Sequence, residues 1–269
     1  MILNNDLTQI IRKAILLGDE IGIPVLSKIA NDLGIKILGL GFSKKVTEKT
    51  QLEISGKLGI PLVQTKNEID TNLAILEFTK INDINLILMF SYDVILDNRI
   101  INVPELKIIN IHGGKVPKYR GANVLNWAII NGEKEIGITI HEAKIPVDSG
   151  PILGEWSISV DYEDTAFTVR EKISTSIFKN LPEILTDFFL GKIKPKHQSD
   201  LGIVAHKKRH ANDGIFDWSY SDQDIYNLVR ALVDPWPGAR FIDRKGNLVI
   251  INKYMSMEEV KLLRRLESN

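Results

Sequence analysis

The sequence predicts an α/β protein with a doubly wound, Rossmann-like parallel sheet and a short C-terminal extension. Short β-branched apolar runs alternate with turn residues and amphipathic segments from residue 13 onward, which is the pattern of successive βαβ units. The chain has 269 residues and 44% hydrophobic content, enough for one large core and an appendage. In this fold class, ligands bind beyond the C-terminal ends of the parallel strands.

The first half of the chain reads as alternating strands and helices. A glycine turn at 18–22 follows the first strand and leads into a helix that runs to about residue 33. Gly18 and Gly22 do not form a G-x-G-x-x-G fingerprint, so a nicotinamide cofactor is not expected. The expected strands are 13–17, 35–40, 60–63, 86–90 and 106–112.

The second half is richer in helical patterns. A helix is expected at 121–130 with Trp127 in the core, and a long amphipathic helix runs from 165 to about 190, with Asp164 as its N-cap and Pro182 kinking or splitting it. The remaining expected elements are a strand at 136–141, a helix at 225–232 that ends before a proline pair, a hairpin formed by 239–242 and 247–251, and a helix at 258–266. We expect a domain at 1–200 and a C-terminal subdomain at 201–269.

Charge and composition exclude several function classes. The 34 basic and 34 acidic residues cancel, which argues against a nucleic-acid partner, because such binding relies on an excess of Lys and Arg. The chain has no cysteine, so disulfides and thiolate metal sites are excluded and a reducing cytoplasm is the expected location. Neither a signal peptide nor an apolar run of roughly twenty residues is found, so no membrane partner is expected.

An amide and an imidazole stand two positions apart at the end of one predicted strand. Side chains alternate along a strand, so Asn110 and His112 should share a face near its C-terminal end. An imidazole that moves a proton beside an amide that donates to an oxyanion suits acyl transfer. Asp148 follows in a Pro- and Gly-containing loop and could orient or charge-stabilise His112. On pattern alone, a structural histidine at a strand end remains the alternative.

Three segments around these residues resemble one enzyme family. Asn110-x-His112, the loop Val-Pro-Lys-Tyr-Arg-Gly at 116–121 and Asp-Ser-Gly-Pro-Ile-Leu at 148–153 resemble the folate-dependent formyltransferases. The resemblance implies a Rossmann-like formyltransferase domain, with Asn110, His112 and Asp148 as catalytic residues. It also implies N10-formyltetrahydrofolate as the cosubstrate and no metal. The loop after His112 reads Gly-Gly-Lys-Val-Pro, whereas many members have a serine and two leucines before the proline.

The resemblance and the position of other residues extend the candidate site. The strand-end loop at 89–92 matches the one that holds the folate pterin in the family, although Phe90 also suits a core position. His141 is a rival base or a pocket residue, and Arg120 could bind an anion or backbone carbonyls. The candidate cofactor contacts are Met89, Phe90, Ser91, Tyr92, His141 and Val147. The candidate substrate contacts are Gly113, Gly114, Lys118, Tyr119 and Arg120.

The tail indicates the acceptor of the formyl group. Asp-Gly-x-x-Asp-Trp at 213–218 and Arg-Ala-x-x-Asp-Pro-Trp-Pro-Gly-Ala at 230–239 resemble formyltransferases of nucleotide-linked amino sugars. The expected partner is therefore a UDP- or dTDP-linked amino sugar. The alternatives are methionyl-tRNA formyltransferase, for which the neutral charge and short tail are unfavourable, formyltetrahydrofolate hydrolase, and a non-catalytic binding module. The hairpin could pair with a second copy, so a homodimer is a further hypothesis.

Overall fold

The computed structural model describes residues 12–64, 68–199 and 201–267. By their internal contacts these residues form two compact units, divided between Ile111 and His112. The elements of the first unit, in chain order, are β1 (Lys13–Gly18), α1 (Gly22–Asp32), β2 (Lys36–Phe42), α2 (Glu48–Leu58), α3 (Glu68–Ile81), β3 (Leu86–Phe90), α4 (Asn98–Ile101) and β4 (Lys107–His112), whose last residue opens the second unit.

Four parallel strands organise the first unit, in the order β2-β1-β3-β4. The side chains from Ala14 to Leu17 on β1 are fully buried, as expected for a strand inside a parallel sheet that is covered on both faces. The strands end together: Gly18 pairs with Phe90, and Phe90 pairs with Ile111. The α/β fold predicted from the sequence is confirmed, and residues that follow these strand ends gather at one edge.

The second unit combines an antiparallel strand pair with helices and a hairpin. Its elements are β5 (Arg120–Gly121), α5 (Val124–Ile130), β6 (Glu135–Glu142), β7 (Ile152–Ser159), α6 (Ala166–Phe189), β8 (Ala205–His206), a 3₁₀ turn (Ala211–Gly214), α7 (Asp222–Ala231), β9 (Ala239–Ile242), β10 (Leu248–Ile251) and α8 (Met257–Glu267). Strands β6 and β7 are antiparallel, and β5 and β8 form a short parallel pair. The predicted hairpin is confirmed as β9 and β10.

Two predicted boundaries are wrong, each for a local reason. The expected strand at 60–63 is reduced to a single bridge between Leu40 and Leu62, because the neighbouring Pro61 has no N–H to donate to a ladder. The helix expected from residue 121 begins at Val124. Gly121 pairs with His206, and Asn123 has a φ of 54°, which cannot continue a right-handed helix.

The long helix α6 is confirmed, but its cap is Thr165. The Thr165 hydroxyl accepts the N–H of Thr168 at 3.2 Å, and the Thr168 hydroxyl accepts the N–H of Thr165 at 3.0 Å, which forms a reciprocal capping box. The Asp164 carboxylate is used elsewhere, since it accepts from the Thr168 hydroxyl and from Lys172. The helix runs through Pro182 as one element.

Candidate active site

Strand β4 brings Asn110 and His112 to its C-terminal end, two residues apart. His112 is buried, with 7% of its surface exposed, whereas Asn110 is half-buried. Across the sheet, Met89 of β3 is the direct partner of Asn110, and Met89 is also half-buried. A ligand that reaches the Asn110 side of β4 therefore also meets the end of β3, where the sequence places its pterin-binding candidates.

Both ring nitrogens of His112 face groups of the chain. Nε2 lies 2.5 Å from the carbonyl oxygen of Tyr119, and Nδ1 lies 3.6 Å from Oδ2 of Asp148. A carbonyl oxygen only accepts, so Nε2 must carry a proton. In neutral His112 the basic nitrogen is therefore Nδ1, and it faces the carboxylate.

Asp148 is held against two histidines in a strained loop. It is 6% exposed and has a φ of 56°, in the left-handed region that Asp tolerates better than most residues. The Gly121 N–H donates to its Oδ2 at 2.8 Å, and His141 Nε2 lies 3.4 Å from its Oδ1. Burial alone would raise the pKa of Asp148, but the charge of His112 and the contact with His141 outweigh it and lower this pKa to about 2.

Burial lowers the pKa of His112 below the usual value of 6.5. The charge of Asp148 acts in the opposite direction but does not outweigh burial, and His141 lowers the pKa further. His112 is therefore neutral at pH 7, with Nδ1 able to accept a proton. When it does, the resulting cation lies beside an ionised Asp148.

Two glycines allow the backbone to approach this pair closely. A Cβ on Gly114 would lie 2.6 Å from the Tyr119 carbonyl oxygen and 2.8 Å from His112 Nε2. A Cβ on Gly150 would lie 1.7 Å from the carbonyl oxygen of Glu142, far inside van der Waals contact. Any larger residue at either position would displace the Tyr119 turn or the Asp148 loop.

The predicted substrate contacts Lys118, Tyr119 and Arg120 have partners within the chain. Lys118 Nζ lies 2.7 Å from Oε1 of Glu133, and the Tyr119 hydroxyl donates to the same oxygen at 2.8 Å. Arg120 donates from Nε at 2.9 Å and from Nη2 at 2.5 Å to Oε1 of Gln198. From the sequence, the expected partner of the Arg120 guanidinium is an anion or backbone carbonyls, whereas in the structure its partner is the side-chain amide of Gln198. Gln198 is not a candidate from the sequence, because it is a single polar residue outside every motif named above.

A column of side chains connects the Tyr119 turn to the segment after β8. The Tyr119 ring stacks on His206 at 4.7 Å with 10° between the planes, and the Trp127 ring lies 5.7 Å from His206. Arg209 lies over the Trp127 ring at 4.4 Å, and Trp127 Nε1 donates to the Lys207 carbonyl at 3.1 Å. The expectation that Trp127 lies in the core is wrong, because Trp127 is half-buried and contacts residues 206–209.

Of the other predicted contacts, Phe90 ends strand β3 and is buried, whereas Val147 and Ser91 lie in loops. Val147 is 47% exposed in the loop that carries Asp148. Ser91 has a φ of 57°, and its carbonyl accepts the Ser43 hydroxyl at 2.6 Å. Within residues 12–64, 68–199 and 201–267, no cluster of His, Cys, Asp and Glu side chains suits a metal ion. In these same ranges, no helix combines the length and apolarity needed to cross a membrane.

The curated relatives include a polymyxin resistance protein and methionyl-tRNA formyltransferases. The bifunctional polymyxin resistance protein ArnA of Wigglesworthia glossinidia brevipalpis is 34% identical over 250 residues, which is 90% of this chain but 38% of that protein's length. The chain thus spans well under half of this relative. A methionyl-tRNA formyltransferase of Halothermothrix orenii is 31% identical over 86% of this chain and 75% of its own length.

Solved structures share the fold. A 4-N formyltransferase from Francisella tularensis superimposes with a TM-score of 0.71 at 19% identity, covering 91% of this chain and 98% of that chain. HypX from Aquifex aeolicus, in complex with tetrahydrofolic acid, gives a TM-score of 0.66 at 18% identity, over 88% of this chain and 36% of that chain. The formyl transferase profile matches residues 43–185, and the profile of the formyl transferase C-terminal domain matches 208–261. The chain belongs to the formyl transferase family.

Proposed function

We propose that this chain transfers the formyl group of N10-formyltetrahydrofolate to the amine of a nucleotide-linked amino sugar. The observation that carries the proposal is the pairing of a buried neutral His112 with an ionised Asp148, and with Asn110 two residues away on the same strand. An imidazole beside a carboxylate can remove a proton from an attacking amine, and a nearby amide can stabilise an oxyanion.

The chain's own residues have distinct roles in this reaction. As the amine attacks the formyl carbon, positive charge builds on nitrogen and negative charge on oxygen. His112 accepts the proton that the nitrogen loses, and Asp148, whose Oδ2 lies 3.6 Å from Nδ1, stabilises the resulting imidazolium. The Asn110 amide donates to the developing oxyanion. When the bond from the formyl carbon to the folate nitrogen breaks, His112 returns the proton to that leaving nitrogen. The cosubstrate supplies only the activated formyl group.

The folate assignment is supported by the strand ends. Met89 and Asn110 are adjacent across two parallel strands, and the main chain turns at Ser91 with a positive φ. A flat heterocycle bound through main-chain groups at 89–92 would therefore place its formyl-bearing side near Asn110. The C-terminal edge of a parallel sheet is also where ligands of this fold class bind.

Two observations support a sugar as the acceptor. The net charge is zero, so the chain lacks the excess of Lys and Arg that tRNA binding uses. The segments at 213–218 and 230–239 resemble those of formyltransferases that act on nucleotide-linked amino sugars. A solved structure that shares the fold, from Shewanella sp FDAARGOS_354, is named as a sugar N-formyltransferase, which fits this acceptor.

The test is formylation of a panel of acceptors. The purified protein is incubated with N10-formyltetrahydrofolate and UDP- or dTDP-linked amino sugars, and mass spectrometry detects the mass gain of a formyl group. We expect product from at least one sugar, and none with a His112→Gln variant. Without product from any sugar, the proposed acceptor is wrong.

Methionyl-tRNA is the second candidate acceptor, because the Halothermothrix relative matches over most of both chains. Charged initiator tRNA belongs in the same panel. Formylated methionine on tRNA, with loss of activity at rising salt, would favour this acceptor. Formate released without any amine would favour a hydrolase.

A further inference from the structure

Gln198 joins the two backbone segments that hold His112 and Asp148. Its Nε2 donates to the carbonyl oxygens of Asp148 and Gly150, both at 2.8 Å. Its Oε1 accepts from Nε and Nη2 of Arg120, at 2.9 and 2.5 Å. Four hydrogen bonds therefore converge on one half-buried side chain.

The chemistry of the partners fixes the orientation of this amide. A guanidinium only donates, so it requires the amide oxygen, and carbonyl oxygens only accept, so they require the amide nitrogen. Reversing the amide would break all four contacts. Gln198 can therefore hold its partners in only one arrangement.

The residues on either side of Arg120 are the ones that contact the catalytic pair. Tyr119 precedes it and offers its carbonyl to His112 Nε2 at 2.5 Å. Gly121 follows it and donates its N–H to Asp148 Oδ2 at 2.8 Å. The amide of Gln198 thus connects the turn that holds the imidazole to the loop that presents the carboxylate.

The Asp148 loop needs such support. Its φ of 56° is sparsely populated, and a backbone in this region persists when the surroundings hold it there. The separation of 3.6 Å between Nδ1 of His112 and Oδ2 of Asp148 depends on where this loop lies. We propose that Gln198 is a positioning residue that sets Asp148 against His112, a role that rests on the proposed formyl transfer for its catalytic meaning.

The first measurement needs no substrate. The charged and titratable groups that face His112 are Asp148, His141 and, farther away, His206. Because Asp148 raises the pKa of His112, a loop that moves away should lower this pKa. NMR titration of the five histidine rings, with the His112 signal assigned by its loss in His112→Gln, follows the effect directly.

The variant is Gln198→Met, which keeps the length of the side chain and removes all four hydrogen bonds. We expect a lower pKa for His112 in this variant. We also expect a fall in kcat on the order of 10- to 100-fold with KM unchanged, since small displacements of catalytic groups carry penalties of that size. Gln198→Asn, which keeps the amide but is shorter by one methylene, should fall between Gln198→Met and wild type.

Gln223→Met is the matched control. Gln223 bonds Asn227 on α7 and does not contact the pair, so its replacement should leave both readouts unchanged. If Gln198→Met lowers only the melting temperature and leaves the His112 titration and kcat at wild-type values, the residue is merely structural and the inference is overturned. If no acceptor is formylated by wild type but Gln198→Met shifts the His112 titration, the positioning role stands and the proposed function falls.

Discussion

Replacing Asp148 by Asn removes the charge beside His112 with little other change. Asn tolerates the φ of 56° as Asp does, and its amide oxygen can still accept the Gly121 N–H. An Ala at this position would add backbone strain and lose that hydrogen bond, so its effect would be harder to interpret. Asp148→Asn is therefore the sharper test of the charge.

The separation of 3.6 Å sets the size of the effect. At an effective dielectric constant of about 20, unit charges this far apart attract by about 4.6 kcal/mol, which corresponds to roughly three powers of ten in rate. Since the proton is only partly transferred in the transition state, we expect kcat to fall on the order of 100- to 1000-fold. KM for both substrates should change little.

The assay is steady-state formation of tetrahydrofolate at saturating substrates, with thermal unfolding to show that the variant is folded. The pKa of His112, followed by NMR, should fall in Asp148→Asn because the carboxylate that raises it is gone. A folded Asp148→Asn protein with kcat within about threefold of wild type would refute the assigned role of the carboxylate.

Two further predictions concern stability. Gly150→Ala should lower the free energy of unfolding by about 3 kcal/mol, because the added Cβ would collide with the Glu142 carbonyl. Gly56→Ala in helix α2 should raise this free energy by about 0.5–1 kcal/mol, because a Cβ there meets nothing within 4 Å and alanine favours the helix. Urea titrations of both variants measure these changes. The free energy of unfolding should also fall in acid. Asp148, whose pKa is lowered to about 2, contributes about 2 kcal/mol that is present above pH 3.8 and is lost as the pH falls towards 2. His112, whose pKa is lowered by burial, adds a loss that begins below pH 6.5. Unfolding free energies measured in steps of pH should show both losses, and Asp148→Asn should make the lower one smaller by about 2 kcal/mol.

Much of the fold could be predicted because its signals are local. The strand at 86–90 coincides with β3, since five apolar residues between polar turns leave little choice. The hairpin was equally accessible, because two short apolar runs flank a Lys-Gly turn. The start of α5 was missed because the positive φ of Asn123 is stabilised by distant residues: its side chain accepts the N–H of Arg209.

The groups of the candidate site also differ in whether the sequence reveals them. Asn110, His112 and Asp148 were identifiable from side chains with recognisable chemistry at a strand end and in a loop. The Tyr119 carbonyl and the Gly121 N–H are not identifiable, because a backbone atom has no signature in the sequence, and nothing in the sequence distinguishes the Gln198 side chain from other glutamines. Gln198 also lies 48 and 50 residues beyond the carbonyls that it bonds, so only the folded chain brings them together.

The stacked rings of Tyr119 and His206 couple two distant parts of the chain. Tyr119 touches the tail with its ring and His112 with its carbonyl, so one residue belongs to both surfaces. A ligand that pushes His206 aside would tilt Tyr119 and loosen the contact that keeps the proton on Nε2. Through Tyr119, the placement of the His112 ring therefore depends on how residues 205–209 pack, although those residues lie about ninety positions further along the chain.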